Sequence, residues 1–183
     1  PTAKTITFNI TTGPNLPPSG SNSSQQTAED RTFTISEADF GFSDQDTPAN
    51  NFAAVKISSV TLNGGTLSNG VVPVGSGDEV SIADIRLGKL QFKPAANANG
   101  AGALGQLVFQ VKDDGGTALN GQDTDQLPNT MTINVLAVSD APVGSSFAKS
   151  TREDVFFNFD QTDFTFSDAN DSPSRARNSS PTP

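Results

Sequence analysis

Apolar residues recur at every second position in short runs along this chain, a spacing that puts side chains alternately on the two faces of a β-strand. Leu107, Phe109 and Val111 alternate with Val108, Gln110 and Lys112, and Met131, Ile133 and Val135 alternate with Thr132, Asn134 and Leu136. Phe33 and Ile35, Val55 and Ile57, and Leu90 and Phe92 keep the same period. Turn-forming clusters separate these runs: Asn63-Gly64-Gly65, Gly75-Ser76-Gly77-Asp78, Asn99-Gly100 and Asp114-Gly115-Gly116. Ser36-Glu37-Ala38-Asp39 and Ser81-Ile82-Ala83-Asp84-Ile85 each suit one helical turn. About seven strands in about 110 residues predict an all-β fold, an antiparallel Ig-like Greek-key sandwich. The pattern alone leaves a barrel open.

The pattern also returns. Thr27-Ala28-Glu29-Asp30-Arg31-Thr32-Phe33 recurs 124 residues later as Thr151-Arg152-Glu153-Asp154-Val155-Phe156-Phe157. At the same offset, Asp39-Phe40-Gly41-Phe42-Ser43-Asp44 recurs as Asp163-Phe164-Thr165-Phe166-Ser167-Asp168. Nine of the 18 positions from Thr27 to Asp44 are identical, where unrelated windows share about one. Ile6-Thr7-Phe8-Asn9-Ile10 likewise matches Met131-Thr132-Ile133-Asn134-Val135 in pattern. Each of those strands precedes a proline-bearing link, Asn15-Leu16-Pro17-Pro18 or Asp140-Ala141-Pro142. The expected organisation is a last strand of one repeat at 1–13, a complete repeat at 14–138, the start of the next at 139–171, and a strandless, disordered or truncated tail at 172–183. A period of this length is a domain rather than a solenoid unit, which runs to about 20–50 residues.

Composition narrows the chemistry. Hydrophobic residues make up 33 % of the 183, while Gly (16) and Pro (12) are plentiful, which suits short strands and many turns. The formal net charge of −9 removes any electrostatic ground for nucleic-acid binding and favours hard cations. With no cysteine and no histidine, disulfides, thiolate sites and the usual general base are absent. No cleft, base–nucleophile pair or cofactor motif identifies an enzyme, and no apolar run approaches the 18 or so residues of a membrane span. A carbohydrate- or matrix-binding module is the alternative, but the chain has no Trp or Tyr for a sugar platform, and its 13 Phe fall mostly at alternating core positions.

Five motifs, in order, carry a resemblance. They are Glu29-Asp30 before a strand, Ala38-Asp39-Phe40-Gly41-Phe42-Ser43-Asp44-Gln45-Asp46, Phe92-Lys93-Pro94-Ala95-Ala96-Asn97-Ala98-Asn99-Gly100, Phe109-Gln110-Val111-Lys112-Asp113-Asp114-Gly115-Gly116 and Ser139-Asp140-Ala141-Pro142. Together they resemble the bacterial cadherin-like, VCBS-type repeats of large adhesins and RTX-type secreted proteins, over nearly the whole chain to Asp171. The resemblance implies an extracellular, array-forming sandwich whose partners are neighbouring repeats, with calcium as the cofactor. It departs from that pattern at Asn15-Leu16-Pro17-Pro18, which lacks the acidic residue usual in the link. Candidate ligands are Glu29, Asp30, Asp44, Asp46, Asp113, Asp114, Asp140, Glu153 and Asp154. By resemblance, Asp113, Asp114, Asp140, Glu153 and Asp154 are expected to gather at one junction. An equally simple reading makes Asp113-Asp114-Gly115-Gly116 a tight turn and no more, since Asp bonds its own backbone and Gly accepts unusual dihedrals.

Overall fold

A computed structural model describes residue 4 and residues 13–100 and 103–167. Its strands are β1 (Ser23–Ala28), β2 (Phe33–Thr34), β3 (Phe52–Thr61), β4 (Thr66–Asn69), β5 (Val72–Pro73), β6 (Glu79–Ser81), β7 (Leu90–Lys93), β8 (Ala103–Asp113), β9 (Asn129–Leu136), β10 (Val143–Gly144) and β11 (Phe166–Ser167). One short helix, α1 (Ile82–Arg86), follows β6, and single 3-10 turns include Glu37–Phe40. The two helical turns read from the sequence are therefore present. The Ser81 side chain caps α1 by accepting from the Asp84 amide, satisfying one of the donors a helix start leaves open.

Two sheets share one core. The larger runs β1-β9-β8-β3-β6 and the smaller β2-β7-β4-β5. Pairing is antiparallel throughout except between β1 and β9, which run parallel with Ser23 opposite Met131 and Ala28 opposite Leu136. Alternation does what it promised: Leu107, Phe109, Val111, Met131, Ile133 and Val135 are fully buried, and they meet Leu67, Leu90 and Phe92 of the smaller sheet. Phe40 stands edge-on to Phe109 at 5.0 Å, and Phe42 stacks on Phe52 at 4.6 Å. This is an all-β fold, and each of its larger rings removes about 150–250 Å² of apolar surface from water.

The segment after β9 is different. β10 and β11 form a two-stranded ribbon, and Phe147, Phe157, Phe159 and Phe164 touch one another around it. Phe156, Phe159, Phe164 and Phe166 remain largely exposed. Their counterparts in the first repeat, such as Phe40 and Phe42, are covered by Phe52 and Phe109. The expected strand at 1–13, of which only residues 4 and 13 are described, and the tail at 172–183 lie essentially outside the described residues.

Candidate functional site

The acidic residues divide between the two ends of the larger sheet, and the strand register decides which goes where. Phe109 pairs with Asn129 and Ala103 with Asn134, so Asp113 closes β8 at the end where β9 begins. The 11 residues of β8 span about 35 Å at about 3.3 Å per residue. Asp140 lies four residues past Leu136, the last residue of β9, at the opposite end, and four extended residues reach only about 14 Å. Asp113 and Asp114 therefore do not gather with Asp140, which corrects the expected junction set. Among the described residues, the side chain of Asp113 bonds Asn15 and Gly115 and not Glu153 or Asp154. The latter two repeat Glu29 and Asp30, which follow β1 at the Leu136 end, where the Glu29 amide donates to the Leu136 carbonyl at 2.9 Å. Both are exposed, in a turn where the Val155 amide reaches the Arg152 carbonyl.

At the Asp113 end a compact polar cluster forms, and it includes residues that the acidic pattern did not mark. Asp44 accepts the Asp46 amide at 3.0 Å and the Asn50 amide at 2.8 Å on Oδ1. Asp46 Oδ2 accepts the Leu16 amide at 3.0 Å and Asn50 Nδ2 at 2.9 Å. Asp113 Oδ1 accepts Asn15 Nδ2 at 2.9 Å and the Gly115 amide at 2.8 Å. Asn50 Nδ2 also donates to Asn15 Oδ1. A Cβ at Gly115 would collide with the side-chain ends of Asn15 and Asn50, so any larger residue there would displace this pair. Gly13, Asn15, Asp46, Asn50 and Gly115 line a shallow cleft above this cluster.

Two carboxylate oxygens of the cluster are left over. Asp44 Oδ2 and Asp113 Oδ2 are both buried, and neither has a hydrogen-bond partner among the described residues. Asp113 as a whole is 2 % exposed. Burial raises its pKa above the ordinary carboxylate value; the Asn15 and Gly115 bonds oppose this, and the charges of Asp44 and Asp123 push it further up. Asp114, next in sequence, behaves oppositely. It takes the Asn51 amide at 2.8 Å and Asn51 Nδ2 at 2.9 Å, and these bonds lower its pKa. Asp114 is thus satisfied as a turn and strand-end residue, while Asp113 is not.

At the other end, Glu29 is 2 % exposed and both its oxygens are engaged. Oε1 accepts the Val138 amide at 2.6 Å and Oε2 accepts Asn99 Nδ2 at 2.8 Å. Asp30 Oδ1 takes the Asn97 amide at 3.2 Å. These bonds tie the turn after β7 and the chain leaving β9 to the end of β1, a structural use of the carboxylates. No three acidic side chains among the described residues form a ready-made metal cage. No described helix is long and apolar enough to cross a membrane. Comparison with protein-family models, curated proteins and solved structures finds no match to this chain.

Proposed function

We propose that this chain belongs to an extracellular tandem-repeat protein, a cadherin-like Greek-key sandwich array of a large bacterial surface or secreted adhesin, with calcium stiffening its repeat junctions. The 124-residue recurrence supports the array, since it has the length of an independent domain. The direction of the chain supports it too: the link through Asn15 meets one end of the larger sheet and β9 leaves at the other. The observation that carries the calcium reading is the pair of buried, unmatched oxygens, Asp44 Oδ2 and Asp113 Oδ2, beside that link.

The residues fit a hard cation of modest affinity. Buried carboxylate oxygen without a donor costs about 1–3 kcal/mol, and a cation removes that cost together with the repulsion among Asp44, Asp113 and Asp123. Calcium takes six to eight oxygens, so two free carboxylate oxygens leave the rest to backbone carbonyls and water. That donor set matches extracellular modules with dissociation constants of about 10⁻⁴–10⁻³ M. At millimolar calcium, a 10⁻⁴ M site adds about 1.4 kcal/mol, small for one repeat and cumulative along many. In this reading the repeats do no chemistry; they hold a recognition element away from the cell, with their neighbours in the array as partners.

Calorimetric unfolding in EDTA and in millimolar calcium tests this. The expected result is a melting rise of several degrees that vanishes in Asp113→Asn and in Asp44→Asn. Identical melting curves in both buffers would leave the repeats as passive spacers.

A further inference from the structure

Asn15 occupies the place where the second repeat has Ser139, 124 residues on, and it does more than join two beads. Its Nδ2 donates to Asp113 Oδ1 at 2.9 Å and to the Gln122 carbonyl at 2.8 Å, while its Oδ1 accepts from Asn50 Nδ2. Its own carbonyl accepts the Gln122 amide at 3.0 Å, and the next amide, Leu16, donates to Asp46 at 3.0 Å. Every one of these bonds reaches the body of the repeat and none requires an ion. We infer that Asn15 is a positioning residue that docks the incoming link onto the repeat without a cation, so that this junction has a fixed direction before calcium binds. Only an amide side chain has this pattern: asparagine offers two donors and an acceptor at one end, and serine offers a single donor. An aspartate would lose both donated bonds and add one more charge to those of Asp44, Asp46 and Asp113.

Amide hydrogen exchange at Leu16 and Gln122 tests the inference, measured on the whole chain in EDTA and in millimolar calcium chloride. In the unaltered chain both amides are expected to be protected by about a hundredfold or more in EDTA, and to change by less than about twofold in calcium. Asn15→Ser is expected to speed both by about tenfold or more in EDTA. Asn15→Asp should free the link in EDTA and recapture it in calcium, a step that rests on the calcium reading, whereas the others do not. Unprotected amides in EDTA that slow only in calcium would overturn the inference, whether or not the variants fold, as would unchanged protection in Asn15→Ser. Protection in EDTA with no calcium response in any variant would uphold the clasp and sink the calcium reading instead.

Discussion

Glu29 and Asp113, at opposite ends of the larger sheet, are equally buried carboxylates in opposite states. At the Glu29 end, both oxygens of a buried carboxylate meet donors, Val138 N and Asn99 Nδ2. At the Asp113 end, Asp44 and Asp113 each keep one buried oxygen without a donor. The contrast belongs to these residues rather than to whole ends, since Asp125, buried near the start of β9, is saturated by the Gly20 and Leu127 amides and by Asn129 Nδ2. A saturated carboxylate is a fastener, and an unsaturated one is a place where a cation lowers the free energy. An acidic cluster therefore becomes informative only when its donors are counted.

Experiments that remove the saturated carboxylate should have the largest effect. Glu29→Ala strands the Val138 amide and the Asn99 side chain, and a loss of about 2–3 kcal/mol is expected in urea unfolding. That loss should be the same in EDTA and in calcium. If Glu29→Ala abolished the calcium response and Asp113→Asn kept it, the roles assigned to the two ends would be reversed. The second largest effect is calcium itself, about 1.4 kcal/mol on the unaltered chain.

Asp113→Asn should do the unusual thing for a core change and stabilise the chain in EDTA, by about 1 kcal/mol, since it removes a buried charge and keeps the acceptor for Asn15. The pH dependence sharpens this. A carboxylate whose pKa rises on folding is penalised when ionised, fully so above its folded pKa and not at all below its unfolded one. The advantage of Asp113→Asn should thus be greatest near pH 7 and shrink as pH falls into the ordinary carboxylate range, about 4. Asp114 has the reverse sign: its lowered pKa means stability present above the unfolded value and lost as pH falls through the folded one. Asp114→Asn should therefore lose stability at pH 7 in both buffers. Least of all should follow from Arg86→Ala. It breaks an exposed pair with Glu37 at 2.7 Å, and the unfolding midpoint should hardly move.

The strands were legible because alternation records burial directly. Phe109 and Ile133 could be assigned to the core from period two alone, and Ser81-Ile82-Ala83-Asp84-Ile85 was read as one helical turn, though its serine cap shows only in the structure. The site was legible only in part. Asp44, Asp46 and Asp113 were marked by their charge, but Asn15 and Asn50, which set what those carboxylates have left to bind, look like ordinary loop residues. Grouping Asp113 with Asp140 failed for a different reason. It came by resemblance, and motifs matched in order along a chain do not say which end of an antiparallel sheet each residue occupies. Glu29 was marked as a candidate ligand, whereas both its oxygens serve the fold, a use that depends on the Val138 amide, which any residue but proline supplies.

The parallel pairing of β1 with β9 has a consequence for load. In the proposed array, tension on the two links would pull the start of β1 one way and the end of β9 the other, along the strand axes. In that geometry, the cross-strand bonds from Ser23–Met131 to Ala28–Leu136 are strained together and must fail as a group. Were the same strands antiparallel and joined at one end, they would peel apart one bond at a time. A repeat closed by parallel terminal strands yields late, and at a force set by the whole seam.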